Sequence, residues 1–384
     1  MERRARRLLF LFAKTGGGHT SIAHAVAHAL RERYGARVHV EMVDVLSDYA
    51  PWPFNRLDRI YPSLVQMRGW LWAVGYNLSD GPRRAALLTR SCWPMVRGPL
   101  LQLLYEHPAD VIACCHPTFN HLIAQALNLA SQGTSLVTLV SDLATAHAFW
   151  FAPGAARYLV PVEGARQRAL ACGVTEKRIL VTGLPVHPRF LVATKEPVAA
   201  VRRRLGLPTD RPVVLFAGGA EGMGSLRPLC QAAVDSKLEA QLVVLTGRNG
   251  RLKARLTAET WPSAIRIEGF VHNMHDWMRA ADILVTKAGP STISEALVMG
   301  LPLVLSGALP GQERPNADYV VQAGAAIWAP TPDRVIKTVR ELLTPDRQRL
   351  AEMSARAQAI AHPNAAQCVA SVLWDVAGGD TSLR

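Results

Sequence analysis

A run of three glycines followed by a histidine, AKTGGGH at residues 13–19, is the first group of residues that could do chemistry. It lacks the GxxxxGK[ST] sequence of a Walker A loop, and Ser21 stands where GxGxxG would need its third glycine. Gly17 and Gly18 would let a ligand approach free amides at the start of a helix. His19 could accept a hydroxyl proton near neutral pH. We predict a ligand loop with His19 as general base, and a tight strand-to-helix turn is the alternative.

Two further candidates follow predicted strands of the same half of the chain. His116 and Asp142 each stand at a predicted strand end, where they could position His19 or act as the base themselves. A purely structural role is the alternative for both. No Asp-x-Asp pair is positioned to hold Mg²⁺ or Mn²⁺, so we expect a reaction that requires no metal and no cofactor.

A second group of polar residues runs from a predicted strand end into a helix, KAGPSTISE at residues 287–295. The free backbone N–H groups of the helix's first turn, which follows Gly289 and Pro290, could hold a diphosphate with hydroxyl donors from Ser291 and Thr292. Glu295 lies one turn further on the side of Ser291 and could accept both ribose hydroxyls. A simple helix-capping sequence is the alternative.

Three neighbouring loops support the prediction of a nucleotide-binding site. The loop 269–274 could hold a base against Phe270, Val271 and Met274, while the polar residues Gln312, Glu313 and Asn316 suit the hydroxyls of a sugar. A glycine-rich loop at 218–224, which contains Gly219, would face the diphosphate. All of these loops follow predicted strands of one sheet.

The elements that must position these loops alternate along the chain, since apolar runs of strand length separate amphipathic stretches. The fold class is therefore α/β, with two doubly wound Rossmann-like domains facing across a cleft. The predicted strands are Leu8–Phe12, Val38–Val43, Val111–Cys115, Leu136–Val140, Tyr158–Val162, Ile179–Thr182, Val213–Ala217, Leu242–Thr246, Ile265–Glu268, Ile283–Val285, Leu303–Leu305 and Ala325–Trp328.

Length and composition agree with two domains. The chain has 384 residues, of which 49% are hydrophobic, enough for two cores. We expect a first domain over residues 1–190 and a second over residues 191–384. Residues 47–98 are rich in Trp, Tyr, Pro and Arg, which predicts an inserted region rather than a crossover helix.

The net charge and the cysteine content indicate the kind of partner and the cellular compartment of the protein. The net charge is +13, most of it in residues 1–195, which favours an anionic membrane or nucleic acid as partner; a solvated basic surface is the alternative. Six cysteines without a CxxC pair are typical of a reducing compartment, and Cys114 and Cys115 should lie in a core. No apolar run reaches about 18 residues. We expect a cytoplasmic protein, peripheral on the inner face of the cell membrane.

With these motifs in view, the sequence resembles the monogalactosyldiacylglycerol synthase family, which includes processive diacylglycerol glucosyltransferases, and more distantly the peptidoglycan N-acetylglucosaminyltransferase. The resemblance covers most of the chain. The strongest matches are TGGGH at 15–19, CHP at 115–117, KAGPSTISEALVMGLPLVL at 287–305 and PGQERPNADYVV at 310–321. Two departures are Ser291, where a glycine is common, and Ser141 before Asp142, where a threonine is more usual.

The resemblance implies a GT-B fold and an inverting transfer of galactose or glucose from a UDP-sugar to diacylglycerol. The family pattern assigns the nucleotide to the 269–295 residues named above and the sugar to Gln312, Glu313 and Asn316. It assigns the acceptor to Gly17, Gly18 and His19, with the aromatic 47–98 region, including Trp52 and Trp70, facing the lipid.

Rival functions remain at this point. A UDP-sugar 2-epimerase-like enzyme shares the fold but needs no lipid-binding surface, and a transferase could act on another lipid-linked acceptor such as a peptidoglycan precursor. A nucleic-acid-binding protein would leave the 269–316 loops without a purpose, so no nucleic acid is expected. The sequence leaves the sugar, processivity and oligomeric state open.

Overall fold

The computed structural model describes residues 4–14, 17–52, 54–56, 69–130, 133–261 and 264–379. The chain divides into two compact units. The first unit comprises Met1–His187 and His362–Arg384, and the second unit comprises Pro188–Ala361. Each is built on its own parallel sheet, as the alternation of apolar runs and amphipathic stretches predicts.

The sheet of the first unit has six parallel strands in the order β2-β1-β3-β4-β5-β6. Most residues of the four inner strands are buried on both faces of the sheet, which explains the continuous apolar runs in the sequence. The strands are β1 (Arg6–Phe12), β2 (Val38–Asp44), β3 (Val111–Cys114), β4 (Ser135–Leu139), β5 (Arg157–Val160) and β6 (Ile179–Val181). Cys114 and Cys115 lie in the core, as expected.

Helices cover this sheet. The longer ones among the described residues are Gly18–Tyr34, Gly69–Ser79, Pro82–Glu106, Pro117–Ala130, Glu163–Ala171 and Ala365–Val376. Short helical turns occupy Gly35–Arg37, Val45–Asp48, Phe54–Arg56, Ala148–Trp150 and Glu176–Arg178.

The aromatic region 47–98 corrects the expectation of an insert without a crossover helix. Helix Pro82–Glu106 begins inside it and continues to the start of β3, with Pro94 and Pro99 in its interior. Its C-terminal half is part of the core, where Leu103 and Leu104 are buried. Residues 53 and 57–68 lie outside the described part of the chain. The region therefore supplies the helical connection between β2 and β3.

The C-terminal helix Ala365–Val376 corrects the expected domain range 191–384, because it belongs to the first unit. It packs against helix Gly18–Tyr34, and the rings of Tyr34 and Trp374 stack with a centroid separation of 4.2 Å. The Arg37 guanidinium lies 5.7 Å from the Trp374 ring, a cation–π distance. The chain thus returns to the first unit after completing the second.

The sheet of the second unit also has six parallel strands, in the order β12-β11-β10-β7-β8-β9. Its register shifts between Thr286 and Lys287, at the end of β10. The strands are β7 (Val213–Ala217), β8 (Gln241–Leu245), β9 (Ile265–Glu268), β10 (Ile283–Lys287), β11 (Leu303–Gly307) and β12 (Ala326–Trp328). All twelve predicted strands are confirmed, with small differences at their ends.

The helices of the second unit are Arg189–Ala193, Val198–Arg204, Leu226–Asp235, Gly250–Ala258, Met274–Ala280, Pro290–Met299, Arg314–Gln322, Pro332–Leu342 and Gln348–Ala359. Nowhere in the described ranges does either unit contain a helix with the length and apolar character that a membrane span requires.

Candidate active site

His19 lies in the first turn of helix Gly18–Tyr34, just beyond the end of β1. Its Nδ1 is 2.9 Å from the hydroxyl oxygen of Ser141. Burial lowers the pKa of His19 below its usual value, and the charge of Asp142 and a hydrogen bond to the Cys115 backbone partly offset this. The imidazole is therefore neutral near pH 7, which is the form that a general base needs.

His116 packs directly against His19. The two rings meet edge to face with a centroid separation of 4.6 Å. His116 Nδ1 is 2.9 Å from the Thr118 hydroxyl oxygen, at the start of helix Pro117–Ala130. Burial, and secondly the nearby His19, hold the pKa of His116 well below its usual value. His116 is thus a neutral, buried neighbour that fixes one side of the His19 ring.

Asp142 follows β4 and is buried. Its Oδ2 accepts a hydrogen bond of 2.8 Å from the indole Nε1 of Trp150. The same oxygen lies 3.5 Å from the backbone N–H of His147. The Asp142 charge raises the pKa of His19, so this carboxylate favours the protonated form of that imidazole. The structure therefore brings the three predicted residues His19, His116 and Asp142 together.

Two residues of this cluster were missed by sequence reasoning. Ser141 was noted only as a departure from a family pattern, yet its hydroxyl is the partner of His19 Nδ1. Trp150, which is fully buried, carries no motif at all. The available signal was position, since Ser141 precedes Asp142 at a strand end and Trp150 follows eight residues later in a short helical turn.

In the second unit, helix Pro290–Met299 begins just beyond the end of β10. Its N-cap is Gly289, and no side chain of the described residues caps its amides. Thr292 is half-buried, and the buried Oγ of Ser291 has no hydrogen-bond partner within the described part of the chain. Unpaired amides and a positive helix end make this turn suitable for an anion.

The glycine-rich loop 218–224 lies close to the end of β10, because a Cβ on Gly219 would be 3.8 Å from the Cε of Lys287. Gly219 and Gly222 have φ angles of 70° and 59°, which favour glycine. A Cβ on Gly222 would come within 2.0 Å of the Thr246 carbonyl oxygen. The glycines are therefore required for the loop to fold back on β8.

Glu295 lies one turn into helix Pro290–Met299, as predicted. Burial raises the pKa of Glu295 to about 8, although the nearby Arg189 opposes the shift. The side chain is consequently protonated at neutral pH in the protein alone. It would ionise when hydroxyl donors reach it.

The three residues predicted to contact a sugar lie near the start of helix Arg314–Gln322. Buried Glu313 forms an ion pair with Lys287, and its Oε2 accepts a hydrogen bond of 2.8 Å from the Leu309 N–H. Asn316 is also buried, and its Nδ2 donates to the Ala288 carbonyl oxygen over 3.2 Å. Gln312 lies in the preceding turn. Lys287 was not predicted as a site residue, although it begins the 287–295 motif.

The residues predicted to hold a base lie between β9 and helix Met274–Ala280. Phe270 is 42% exposed, and the Arg248 guanidinium lies 4.4 Å from its ring centroid. Val271 is half-buried in the loop, and Met274 is the first residue of the helix. An exposed aromatic ring beside a cation offers a stacking surface to a planar base.

The predicted acceptor residues lie in the first unit. Gly17 is the N-cap of helix Gly18–Tyr34, while Thr15 and Gly16 lie outside the described residues. Trp52 and Trp70 are 72% and 67% exposed. Their exposure leaves both indoles available for contact with an apolar partner.

Comparison with known proteins was made for both fold and sequence. A solved MurG from Acinetobacter baumannii is 17% identical, with a TM-score of 0.62 and coverage of 96% of this chain and 99% of that one. A UDP-GlcNAc 2-epimerase from Neisseria meningitidis, solved with UDP-GlcNAc, is 14% identical, with a TM-score of 0.61 and coverage of 96% and 100%. The chloroplastic monogalactosyldiacylglycerol synthase of Spinacia oleracea is 35% identical, over 94% of this chain and 70% of that protein.

Two Rossmann-like units, one with a histidine at a strand-to-helix loop and one with an open helix N-terminus, define a protein of the GT-B fold. Residues 19–186 match the family model of monogalactosyldiacylglycerol (MGDG) synthase, and residues 213–369 match the glycosyltransferase family 28 C-terminal domain. The chain belongs to the monogalactosyldiacylglycerol synthase family.

Proposed function

We propose that this enzyme transfers a hexose, galactose or glucose, from a UDP-sugar to diacylglycerol with inversion at the anomeric carbon. The observation that carries the proposal is the 35% identity to a monogalactosyldiacylglycerol synthase across 94% of the chain, which includes both units. The neutral His19, with Ser141 as its partner, supplies the base that such a transfer needs.

The reaction is a single displacement. His19 takes the proton of the acceptor hydroxyl as the hydroxyl oxygen attacks the anomeric carbon. The new bond forms between that oxygen and the carbon, the bond from the carbon to the β-phosphate oxygen breaks, and its electron pair leaves with UDP. Asp142 stabilises the imidazolium ion that forms on His19, because its charge raises the pKa of that ring.

The donor binds in the second unit. The N–H groups of Ser291 and Thr292, just after the N-cap Gly289, face the diphosphate, and the glycine loop with Gly219 approaches it from β7. Glu295 accepts the ribose hydroxyls in its ionised form. Further donor contacts come from Pro290, from Phe270, Val271 and Met274 at the base, and from Gln312, Glu313 and Asn316 at the sugar.

The acceptor reaches the first unit from an anionic membrane surface, at the inner face of the cell membrane. Trp70, Val74 and Leu78 are exposed at four-residue spacing on helix Gly69–Ser79, so they form one apolar stripe. On the following helix, Arg83, Arg90 and Arg97 recur every seven residues and are also exposed. Exposed indoles and arginines together fit an anionic lipid interface.

Two other functions share the fold. The epimerase and MurG neighbours are both below 25% identical, so they indicate architecture alone. The stripe of exposed apolar residues on Gly69–Ser79 favours a lipid acceptor over a soluble UDP-sugar as sole substrate. Transfer to a peptidoglycan precursor is treated as an outcome of the test below.

The test uses the purified protein with anionic vesicles that contain diacylglycerol, and with radiolabelled UDP-galactose, UDP-glucose or UDP-GlcNAc in parallel. We expect label from one hexose donor to enter the lipid phase with wild type and to be lost in His19→Ala. His28→Ala is the matched control, since His28 lies on the opposite side of the same helix and is exposed.

The outcomes separate the candidates. If no donor labels diacylglycerol but vesicles with a lipid-linked peptidoglycan precursor become labelled, the acceptor assignment is wrong. If UDP-GlcNAc changes its configuration at C2 without any lipid, the enzyme is an epimerase. Equal activity of His19→Ala and His28→Ala would remove His19 from the role of base.

A further inference from the structure

We propose that Lys287 is the cation that neutralises the diphosphate as it leaves the sugar, and that Glu313 holds the lysine in place until the donor binds. The inference rests on the proposed function, because it assumes a UDP-sugar in the second unit. It assigns a role to a residue that begins the 287–295 motif but has no function in the motif analysis or in the proposed set of donor contacts.

The position of the Lys287 side chain supports the assignment. Lys287 is the last residue of β10, directly after the register shift in the sheet. A Cβ built on Gly289 would lie 3.1 Å from the Lys287 ammonium nitrogen. A Cβ on Gly219 would lie 3.8 Å from its Cε. One side chain therefore reaches both elements that are proposed to enclose the diphosphate, the glycine loop and the N-terminus of helix Pro290–Met299.

The electrostatics of this position point the same way. The N-terminal end of a helix is positive, so a lysine beside it is unfavourable unless an anion is shared with it. In the protein alone that anion is Glu313, whose side chain is 6% exposed against 24% for Lys287. Glu313 is itself fixed by the Leu309 N–H at its other oxygen. A diphosphate would be a second anion at the same end of the helix.

The chemistry of the leaving group explains why a full charge is useful. When the bond from the anomeric carbon to the β-phosphate oxygen breaks, its electron pair adds a negative charge to the diphosphate. A helix N-terminus contributes the equivalent of only about half a charge. Arg248, a second cation close to the glycine loop, pairs with Glu221 and lies over Phe270. Lys287 can supply the remaining charge where it is needed.

The experiment compares Lys287→Met with wild type by calorimetric binding of UDP and of uridine, followed by lipid transfer kinetics. Lys287→Met should lower the affinity for UDP by at least about tenfold and leave the affinity for uridine within about twofold of wild type, because only UDP carries the diphosphate. The kcat for transfer should fall by about 100-fold or more, as for other groups that stabilise developing charge. Lys287→Arg should recover part of the UDP affinity and part of the kcat.

Three controls separate this role from a structural one. Lys337→Met is the matched control, since Lys337 lies on helix Pro332–Leu342 with its side chain 79% exposed. Glu313→Gln removes the partner but keeps a hydrogen-bond acceptor for the Leu309 N–H, so UDP should bind at least as tightly as to wild type. If Lys287→Met leaves buried Glu313 unpaired and unfolds the protein, the double variant Lys287→Met/Glu313→Gln restores neutrality and is compared instead.

Each result is decisive. Equal losses of UDP and uridine affinity, or unchanged UDP affinity in a folded variant, would overturn the role of Lys287 while leaving the transferase function intact. A wild-type protein that binds no UDP would instead overturn the proposed function. Selective loss of UDP affinity in a folded Lys287→Met protein supports the inference.

Discussion

The indole N–H of Trp150 donates a hydrogen bond to Asp142 Oδ2 over 2.8 Å, and both side chains are buried. The carboxylate held in this way supports the neighbouring His19 electrostatically. In the proposed mechanism Trp150 is therefore a positioning residue, because it holds Asp142 and its ring centroid lies 6.1 Å from that of His19.

Replacing Trp150 by Phe removes this donor and keeps most of the aromatic volume. We expect a loss of about 1–3 kcal/mol in the free energy of unfolding, because a buried charged acceptor loses a partner. Urea denaturation measures this cost. Transfer activity should fall in a protein that remains folded, and Tyr105→Phe, at an aromatic residue that is 83% exposed, should change neither quantity. Wild-type activity in a folded Trp150→Phe protein would separate this contact from catalysis.

Asp142→Asn removes the charge that raises the pKa of His19. The pKa of His19 should then fall further below its usual value, so the acidic limb of the kcat/KM profile should move to lower pH. The maximal rate should drop by about 100-fold, because the imidazolium ion loses its counter-charge. Transfer rates between pH 4.5 and 9 measure both effects. A limb that moves to higher pH would contradict this arrangement.

Glu295 makes folding stability depend on pH. Its pKa is about 8 in the folded protein against an ordinary value of 4.5, so the folded state holds a proton that the unfolded state releases. The contribution of Glu295 is fully present below about pH 4.5 and is lost as pH rises towards about 8. Glu295→Gln should abolish this loss, so its stability relative to wild type should increase from pH 5 to pH 8 in denaturant titrations.

A parallel titration of Glu341→Gln provides the control, since Glu341 is a half-exposed glutamate of the same unit. It shows how the stability difference from wild type changes with pH when an exposed carboxylate is removed. If the Glu295→Gln difference changes no more than this, Glu295 is ionised in the folded protein.

Membrane attachment should depend on the exposed arginines of helix Pro82–Glu106. The triple change Arg83→Gln, Arg90→Gln and Arg97→Gln should weaken partitioning to anionic vesicles by about 100-fold, given about 1 kcal/mol for each charge near the surface. Vesicle co-sedimentation measures this partitioning. High salt should also weaken the partitioning of the wild-type protein. UDP binding should be unchanged.

The matched control removes three positive charges from the second unit, with Arg334→Gln, Lys337→Gln and Arg349→Gln, all of which are exposed. Equal losses of vesicle binding in the two triple variants would show that net charge, and not this helix, governs attachment.

Local sequence patterns predicted the parts of the fold that local physics determines. Apolar runs marked all twelve strands, and the glycine and hydroxyl residues before Glu295 marked a helix N-terminus, because strand burial and helix capping depend on neighbouring residues. The helix Pro82–Glu106 was missed because Pro94 and Pro99 lie inside it, and the core packing of Leu103 and Leu104 outweighs their effect.

Local sequence patterns could not predict the contacts between distant segments of the chain. The apolar face of Ala365–Val376 indicates that this helix is buried but not that Tyr34 is its partner. In the same way, the contact between Ser141 and His19 joins residues 122 positions apart, and nothing in either local sequence specifies it. The Lys287–Glu313 ion pair likewise joins two segments whose local sequences do not specify the contact.

The return of Ala365–Val376 to the first unit has a consequence for how the protein is made and recombined. Ribosomal synthesis delivers this helix after the whole second unit, so the first unit can complete its packing only after the second unit has emerged and had time to fold. A chimera of two family members that exchanges the second unit accordingly needs two junctions, one at 187/188 and one at 361/362. A single junction would combine helix Gly18–Tyr34 of one parent with helix Ala365–Val376 of the other.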